Sequence, residues 1–403
     1  MRILVSLLAA ASLMLPSSAE AQANLVVWHA YRGAEKAAFE KVIAAYNARP
    51  TTKVKVEPLA VPWDALADKV SAAVPRGKGP DIFIYPQDRM GGWIESGNTV
   101  EPIDFYVDDA MKQRFITTTI EALTYRGSLY ALPLDYKVIT LIYNKKMVKA
   151  PPRNSAELVK LGQSLTNKAA GHFGLAWAYN DFYYVASLFN GFGGGVFGPG
   201  TKPTLNSAEN VKALDLLVRW EKDGFMPAEP STALITSLFN EGKAAMVFSG
   251  PWFLGEVASE IEYGLAPLPT LSEAGNKPMR PWMTVEGVFV TAPSKQKEAA
   301  FEFVKYVTDL DAAKVMALEG RQSPALKAVY DDPRVAADPV LAAFRKQVEV
   351  SVPMPNVAEM TIMWSPATTA LNKIISGTVT PREALDVAQK AVTKDVAALR
   401  KGK

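Results

Sequence analysis

Between Leu25 and Tyr85 the chain alternates strand, helix, strand, helix and strand, an order that few folds accept. Leu25-Val26-Val27-Trp28 is a continuous apolar run of strand length. Phe39, Val42, Ile43 and Tyr46 then recur at helical spacing, and Lys53-Val54-Lys55-Val56-Glu57 alternates as a half-exposed strand. A second helix is predicted over about 63–74, with Leu66 and Val70 on one face. Gly77-Lys78-Gly79-Pro80 ends it and launches the apolar strand Asp81-Ile82-Phe83-Ile84-Tyr85. This order predicts a parallel sheet covered by helices. In such a sheet ligands sit beyond the carboxyl ends of the strands, so Tyr85 to Arg89 falls where a site is expected.

A second strand-like run, Val138-Ile139-Thr140-Leu141-Ile142-Tyr143-Asn144, opens another α/β unit. Helices are predicted at about 155–166, 182–191, 208–222 and 232–241, followed by the strand Ala244-Ala245-Met246-Val247-Phe248. A later strand, Gly287-Val288-Phe289-Val290-Thr291, precedes a helix with Phe301, Val304 and Val307 on one side. The last helix, about 381–399, carries Leu385, Ala388, Val392, Val396 and Leu399 on one face, with Pro381 in its first turn and Thr380 as N-cap.

Length and composition narrow the reading. At 403 residues the chain exceeds what one hydrophobic core holds, so two domains are expected. Its net charge of +3, without long basic blocks, argues against nucleic acid. With no cysteine it has neither disulfides nor thiolate metal sites nor a cysteine nucleophile. His29 and His172 have no metal-ligand spacing, and no Gly-Lys-Ser/Thr follows the glycine run 191–195, so no metal and no cofactor is expected. Met1-Arg2, the apolar stretch Ile3 to Leu15, the break at Pro16 and the small residues Ala19 and Ala21 read as a cleaved secretory signal over residues 1–21. Without a cysteine after it, the mature chain is expected free in a periplasm-like space, not lipid-anchored.

Several segments, taken in order and spacing, resemble the maltose/maltodextrin-binding proteins, the periplasmic solute-binding subunits of ATP-binding cassette sugar importers. They are Gly79-Pro80-Asp81-Ile82 continuing to Asp88-Arg89-Met90-Gly91-Gly92, Tyr125 to Pro133, Leu141 to Lys145, Phe239 to Met246, Ser249-Gly250-Pro251-Trp252, Met354-Pro355-Asn356 and Met363-Trp364. The resemblance implies a two-lobed α/β fold, each lobe a mainly parallel sheet covered by helices, joined by a hinge the chain crosses more than once. One lobe would comprise residues 24–135 plus 286–332 and the other 136–285 plus 333–400. It also implies a monomer that captures an oligosaccharide by hinge closure and delivers it to a membrane permease, with no catalysis.

A sugar offers flat C–H faces and hydroxyl rims, so its site needs aromatic platforms and in-plane donors and acceptors. Tyr85, Asp88 and Arg89 supply both within five residues. The resemblance assigns the Asp-Arg pair to sugar hydroxyls and Tyr85 to an aromatic platform. It likewise assigns Asp181, Tyr183, Tyr184, Trp252, Met354 and Trp364 to the cleft, and leaves Trp28, Trp177 and Trp220 in the core. Lys137 stands where relatives carry a ligand-binding glutamate, and Tyr31-Arg32-Gly33 replaces an acidic-basic pair. Ser365 and Thr368 stand where a tyrosine and an arginine are the pattern. Arg32 and Lys137 therefore leave open an anionic ligand such as glycerol phosphate, besides maltodextrin or another disaccharide such as trehalose. A glycosidase using Asp88 and Asp181 is the rival from another class.

Overall fold

The structure is a computed structural model that describes residues 24–52 and 54–401. The expected signal at 1–21 and Lys53 lie outside the described residues.

The opening alternation folds as its pattern requires. The strand Asn24–His29 leads into the helix Gly33–Asn47, then the strand Lys55–Ala60, the helix Trp63–Ala73 and the strand Ile82–Pro86. Asn24–His29 lies between the other two and runs parallel to both. Beyond Ile82–Pro86 the sheet changes direction. The long strand Trp282–Val290 pairs antiparallel with it and, on its other side, with Ala131–Lys137, which pairs in turn with Ser323–Pro324. The mainly parallel order expected for this sheet thus stops after three strands, because the fourth returns from a part of the chain some two hundred residues away and not through a helical crossover.

A second, four-stranded sheet runs Tyr263–Ala266, Thr140–Asn144, Ala244–Ser249, Phe173–Trp177. Only its last pair is parallel, so this sheet too is mixed. The helices Phe182–Phe192, Ala208–Asp223, Ala358–Ile375 and Pro381–Lys401 cover one face with a core that includes Trp177, Trp220, Phe189, Met363 and Val392. The last helix begins as its sequence requires: the Glu383 amide donates to Thr380 Oγ1 at 3.3 Å, and the Thr380 amide donates to Glu383 Oε2 at 3.0 Å, a reciprocal cap.

Three apolar clusters follow among the described residues. The first gathers side chains from 25–136 and 283–341, the second from 139–282 and 354–396, and a smaller third, with Ile142, Val247, Phe253 and Phe344, also draws on the second sheet. Two places where the chain passes between the first two, the main cores, differ in detail from the sequence pattern. The apolar run expected as one strand over 138–144 breaks at Val138-Ile139, between Ala131–Lys137 of the first sheet and Thr140–Asn144 of the second. The strand expected from Gly287 starts five residues earlier, at Trp282, whose indole lies in the second core while Val285 and Val288 lie in the first. One rigid strand therefore reaches from core to core.

The helix Ala358–Ile375 belongs to the second core yet packs on the short helix Met90–Ser96 of the first. Gly91 and Gly92 allow this. A Cβ at Gly91 would stand 2.5 Å from the Ala358 nitrogen and the Asn356 oxygen, and one at Gly92 would stand 2.4 Å from Thr361 Oγ1. The Gly91 amide donates to the Asn356 carbonyl at 3.1 Å, and the Asn356 side chain donates to the carbonyls of Ala122 and Thr124 at 2.9 Å each. Since the obstacle at Gly91 is backbone, Gly91→Ala should force the helices apart at a cost of about 1–3 kcal/mol. Thermal melting should show a lowered midpoint, whereas Gly377→Ala, which faces open space but has a positive φ, should lose less.

Candidate functional site

The carboxyl end of the strand Ile82–Pro86 delivers Tyr85, then a single turn over Gln87–Arg89 delivers Asp88 and Arg89. The buried Gln87 secures that turn. It accepts from the Val285 amide at 2.8 Å and donates to the Met354 carbonyl at 3.0 Å, joining three chain segments. Met354 is itself buried, and its amide donates to the Met283 carbonyl at 3.0 Å. Its contribution here is to the floor of the site.

Asp88 is buried, and one of its oxygens is shared. Trp364 Nε1 donates to Asp88 Oδ2 at 3.1 Å, and Arg89 Nε lies 3.4 Å from the same atom. The Arg89 guanidinium also sits over the Trp364 ring, 5.8 Å from its centre. Burial pushes the Asp88 carboxyl up to about 6, against the opposing effects of Arg89 and of the Trp364 hydrogen bond. Asp88, Arg89 and Trp364 thus form one unit made from two helices that the glycine pair brings together.

Aromatic rings continue from this unit along the wall of the second core. Trp364 packs on Trp282 at 5.7 Å, Trp282 faces Tyr183 at 6.3 Å, and Tyr183 faces Trp252 at 6.2 Å. Tyr184 meets Trp252 edge-on at 6.4 Å. Asp181 caps the helix that carries the two tyrosines, accepting from the Tyr183 amide at 2.9 Å. Burial within the concave wall pushes its carboxyl to about 6, the Tyr183 amide holds it down, and the charge of Asp64 adds to the upward push. Asp181 retains solvent access and Asp88 does not, so screening blunts the effect more at Asp181. Asp64 lies at the start of the first-core helix Trp63–Ala73, close enough for its charge to act on Asp181 of the second core.

The two cations singled out in the sequence are brought near the cleft, but each has a carboxylate partner. Arg32 Nε lies 2.7 Å from Glu256 Oε1, and its side chain borders a small pocket with Tyr184, Ser249 and Trp252. Lys137 is buried, with its ammonium 3.1 Å from Glu35 Oε1 and 3.1 Å from Glu286 Oε1. Tyr31 donates to Glu286 Oε2 at 2.8 Å, and Gln322 donates to Glu35. Burial works against the Lys137 charge, but Glu286, Glu35 and Asp135 together hold its pKa above the usual lysine value. Burial, then the charge of Glu286, pushes the Asp135 carboxyl well up, and a hydrogen bond from the protonated Asp135 to Glu286 acts in the same direction. Lys137 therefore neutralises an acidic hinge cluster, which weighs against its expected part in holding an anionic ligand.

Three neighbours of the cleft carried weaker sequence signals. Trp63 starts a helix right after a parallel strand, at the sheet end that also holds Tyr85, and that position was the available clue. Asp64 follows it. Trp282 precedes the apolar run from Gly287 and is separated from it by Thr284 and Glu286, which obscures it. His29 is buried and accepts from the Tyr31 amide at 3.1 Å; burial, then Lys36, lowers its pKa to about 4, so it is neutral. Among the described residues there is no group of three or more histidine, aspartate or glutamate side chains able to hold a metal.

A family model described as bacterial extracellular solute-binding protein matches residues 32–314. A maltotriose-binding protein of Pyrococcus abyssi is 31% identical over 359 residues, 87% of this chain and 77% of the relative. A galactooligosaccharide-binding protein of Bacillus subtilis is 29% identical over 395 residues, 94% of this chain and 91% of the relative. Among solved structures, a Thermus thermophilus maltotriose-binding protein bound with maltotriose is 28% identical, with a TM-score of 0.85, over 92% of this chain and 100% of that one.

If Lys137 is the counter-charge of the hinge, Lys137→Met should leave buried carboxylates unneutralised and cost about 3–5 kcal/mol. The expected outcome is a strongly lowered melting midpoint. A variant that melts like the parent would remove this role.

Proposed function

The chain belongs to the family of bacterial extracellular solute-binding proteins, and from that premise we propose that it captures maltose- and maltodextrin-type oligosaccharides in the periplasm and delivers them to an ATP-binding cassette importer. The observation that carries this reading is the row of rings from Tyr184 and Trp252 through Tyr183 and Trp282 to Trp364, which ends on the Asp88–Arg89 pair. In such a row the half-buried Trp252, Trp364, Tyr183 and Tyr184 offer apolar surface to a ligand over the buried Trp282, with carboxylate and guanidinium at one end. The maltotriose-bound neighbour and the maltotriose-binding relative support an α-glucan. The Bacillus subtilis relative favours a galactooligosaccharide as the second reading.

The lobes in this proposal are residues 24–135 plus 286–332 and residues 136–285 plus 333–400. Closure about the passages near Val138 and Trp282 brings Arg32 to Glu256 and Gly33 to Gly255, where a Cβ on Gly33 would lie 2.8 Å from the Gly255 oxygen. A part-exposed ion pair is worth about 0–1 kcal/mol, too little to hold two lobes together alone. Closure then depends on the ligand, which contacts both walls only in that form and shifts the population toward it. Export by the N-terminal signal, a monomeric state free of a lipid anchor and handover to permease subunits complete the proposal. Asp88 and Asp181 act in it as hydroxyl acceptors and not as a catalytic pair, so the pure protein should leave an oligosaccharide intact.

Calorimetry with maltose, maltotriose, maltotetraose, trehalose, a galactooligosaccharide and glycerol phosphate tests the ligand. A maltodextrin should bind most tightly, and a chain that takes only glycerol phosphate would remove the sugar reading. Trp252→Ala and Trp364→Ala should each weaken binding about tenfold or more with unchanged folding, while unchanged affinity in both would remove the stacking row.

Acid should weaken binding. The folded pKa of Asp88 is raised, so between the ordinary aspartate value and about 6 the folded state binds its proton more tightly than the unfolded chain. In that window falling pH lets Asp88 favour the fold while it loses charge as an acceptor. Affinity should therefore fall as pH drops through about 6, and Asp88→Asn should weaken binding at neutral pH and flatten that limb, as read by titrations across the range. Asp181 is also pushed up to about 6, so the test includes Asp181→Asn: neutral-pH affinity unchanged in Asp88→Asn, with the limb lost only in Asp181→Asn, would exclude Asp88 as the acceptor.

A further inference from the structure

The sequence reading gives Tyr85 the role of an aromatic platform, but both approaches to its ring are occupied. Trp63 stacks on it at 5.2 Å with 10° between planes, and Trp93 meets it nearly edge-on at 5.4 Å and 66°. Tyr85 is left 5% exposed. Trp63 is 48% exposed and is the one tryptophan among the described residues in the exposed class. The inner face of its indole is fixed against Tyr85, and Tyr85 is backed by Trp93, whose Nε1 donates to Ser71 Oγ at 2.9 Å. Its outer face is free.

We propose that Trp63 is the outermost stacking platform of the cleft, a subsite for a pyranose ring beyond those held along Trp252 and Trp364. The inference rests on the reading of the cleft as an oligosaccharide site and adds to it what decides chain length. Two observations converge. The ring is pre-organised: Pro62 fixes the backbone before it and Tyr85 holds its plane, so stacking a ligand costs little further order. Its rim carries acceptors, since Asp64 is adjacent and Asp68 lies one turn on along the same helix.

Exposure gives the consequence. Trp282 is buried, Trp252 and Trp364 are half-buried, and Trp63 is exposed. In this proposal a disaccharide lies within the more enclosed rings, whereas a longer chain extends onto Trp63. This platform should therefore favour longer oligosaccharides and matter little to the shortest.

Calorimetric titration of the mature protein with maltose and maltotetraose, in the parent, Trp63→Ala and Trp63→Phe, tests this. Trp63→Ala should raise the Kd for maltotetraose about five- to tenfold and that for maltose less than about threefold, and Trp63→Phe should recover most of the loss. Truncation uncovers Tyr85, which could take over the stack, so a second readout is needed. Maltotetraose should shield more of the tryptophan fluorescence from acrylamide than maltose does in the parent, and that excess should vanish in Trp63→Phe, where Trp252 and Trp364 remain shielded by either sugar. Equal maltotetraose affinity in Trp63→Ala together with an undiminished excess in Trp63→Phe overturns the subsite while the sugar reading stands. A parent that binds no oligosaccharide in the panel overturns both.

Discussion

The ammonium of Lys137 is the charge on which the hinge depends. It ends a strand of the first sheet one residue before the chain leaves for the second, and it meets Glu35 from the first helix and Glu286 from the strand that spans both cores. At an effective dielectric constant of about 20, each contact at this distance is worth about 5 kcal/mol. Taking one ion out of water costs several kcal/mol, the same order. Glu35 and Glu286 are buried as well, so three ions lose water and the two contacts offset that burial without a clear surplus. Burial and Glu286 keep the remaining acid, Asp135, inclined to hold its proton. Lys137 thus neutralises carboxylates beside the two passages near residues 138 and 282, whose own side chains are packed in the apolar clusters.

From that hinge the cleft follows. The spanning strand places Trp282 in the second core and presents Val285 to Gln87, which orients the turn bearing Asp88 and Arg89. The glycine pair 91–92 lets the helix Ala358–Ile375 come close enough for Trp364 to reach Asp88. A short turn on one side and a long helix on the other thus meet in a single polar and aromatic unit.

Much of this was legible in the sequence because it is local. The first five elements follow from period-two and period-3.6 apolar patterns punctuated by Gly77 and Pro80, and the cap at Thr380–Glu383 is a four-residue signal. The position of Tyr85 to Arg89 follows from strand direction. The antiparallel return of Trp282–Val290 was not legible, since pairing between segments two hundred residues apart leaves no local pattern. Lys137 illustrates the same limit from another side. Its charge is written in the sequence, but whether it faces a ligand or three carboxylates depends on Glu35 and Glu286, which only the fold brings to it. Tyr85 and Trp63 exchanged prominence for the same reason: an aromatic at a strand end reads as a platform until a second ring is found lying on it.

The central claim is that an oligosaccharide lies between the two walls, stacked along the rings and hydrogen-bonded at Asp88. The most direct measurement is a crystal structure of the protein with maltotriose. The account requires sugar rings against Trp252 and Trp364 with a hydroxyl on Asp88 and both lobes in contact with the ligand. Maltotriose bound outside the cleft, or held by one lobe alone with Asp88 untouched, would contradict it.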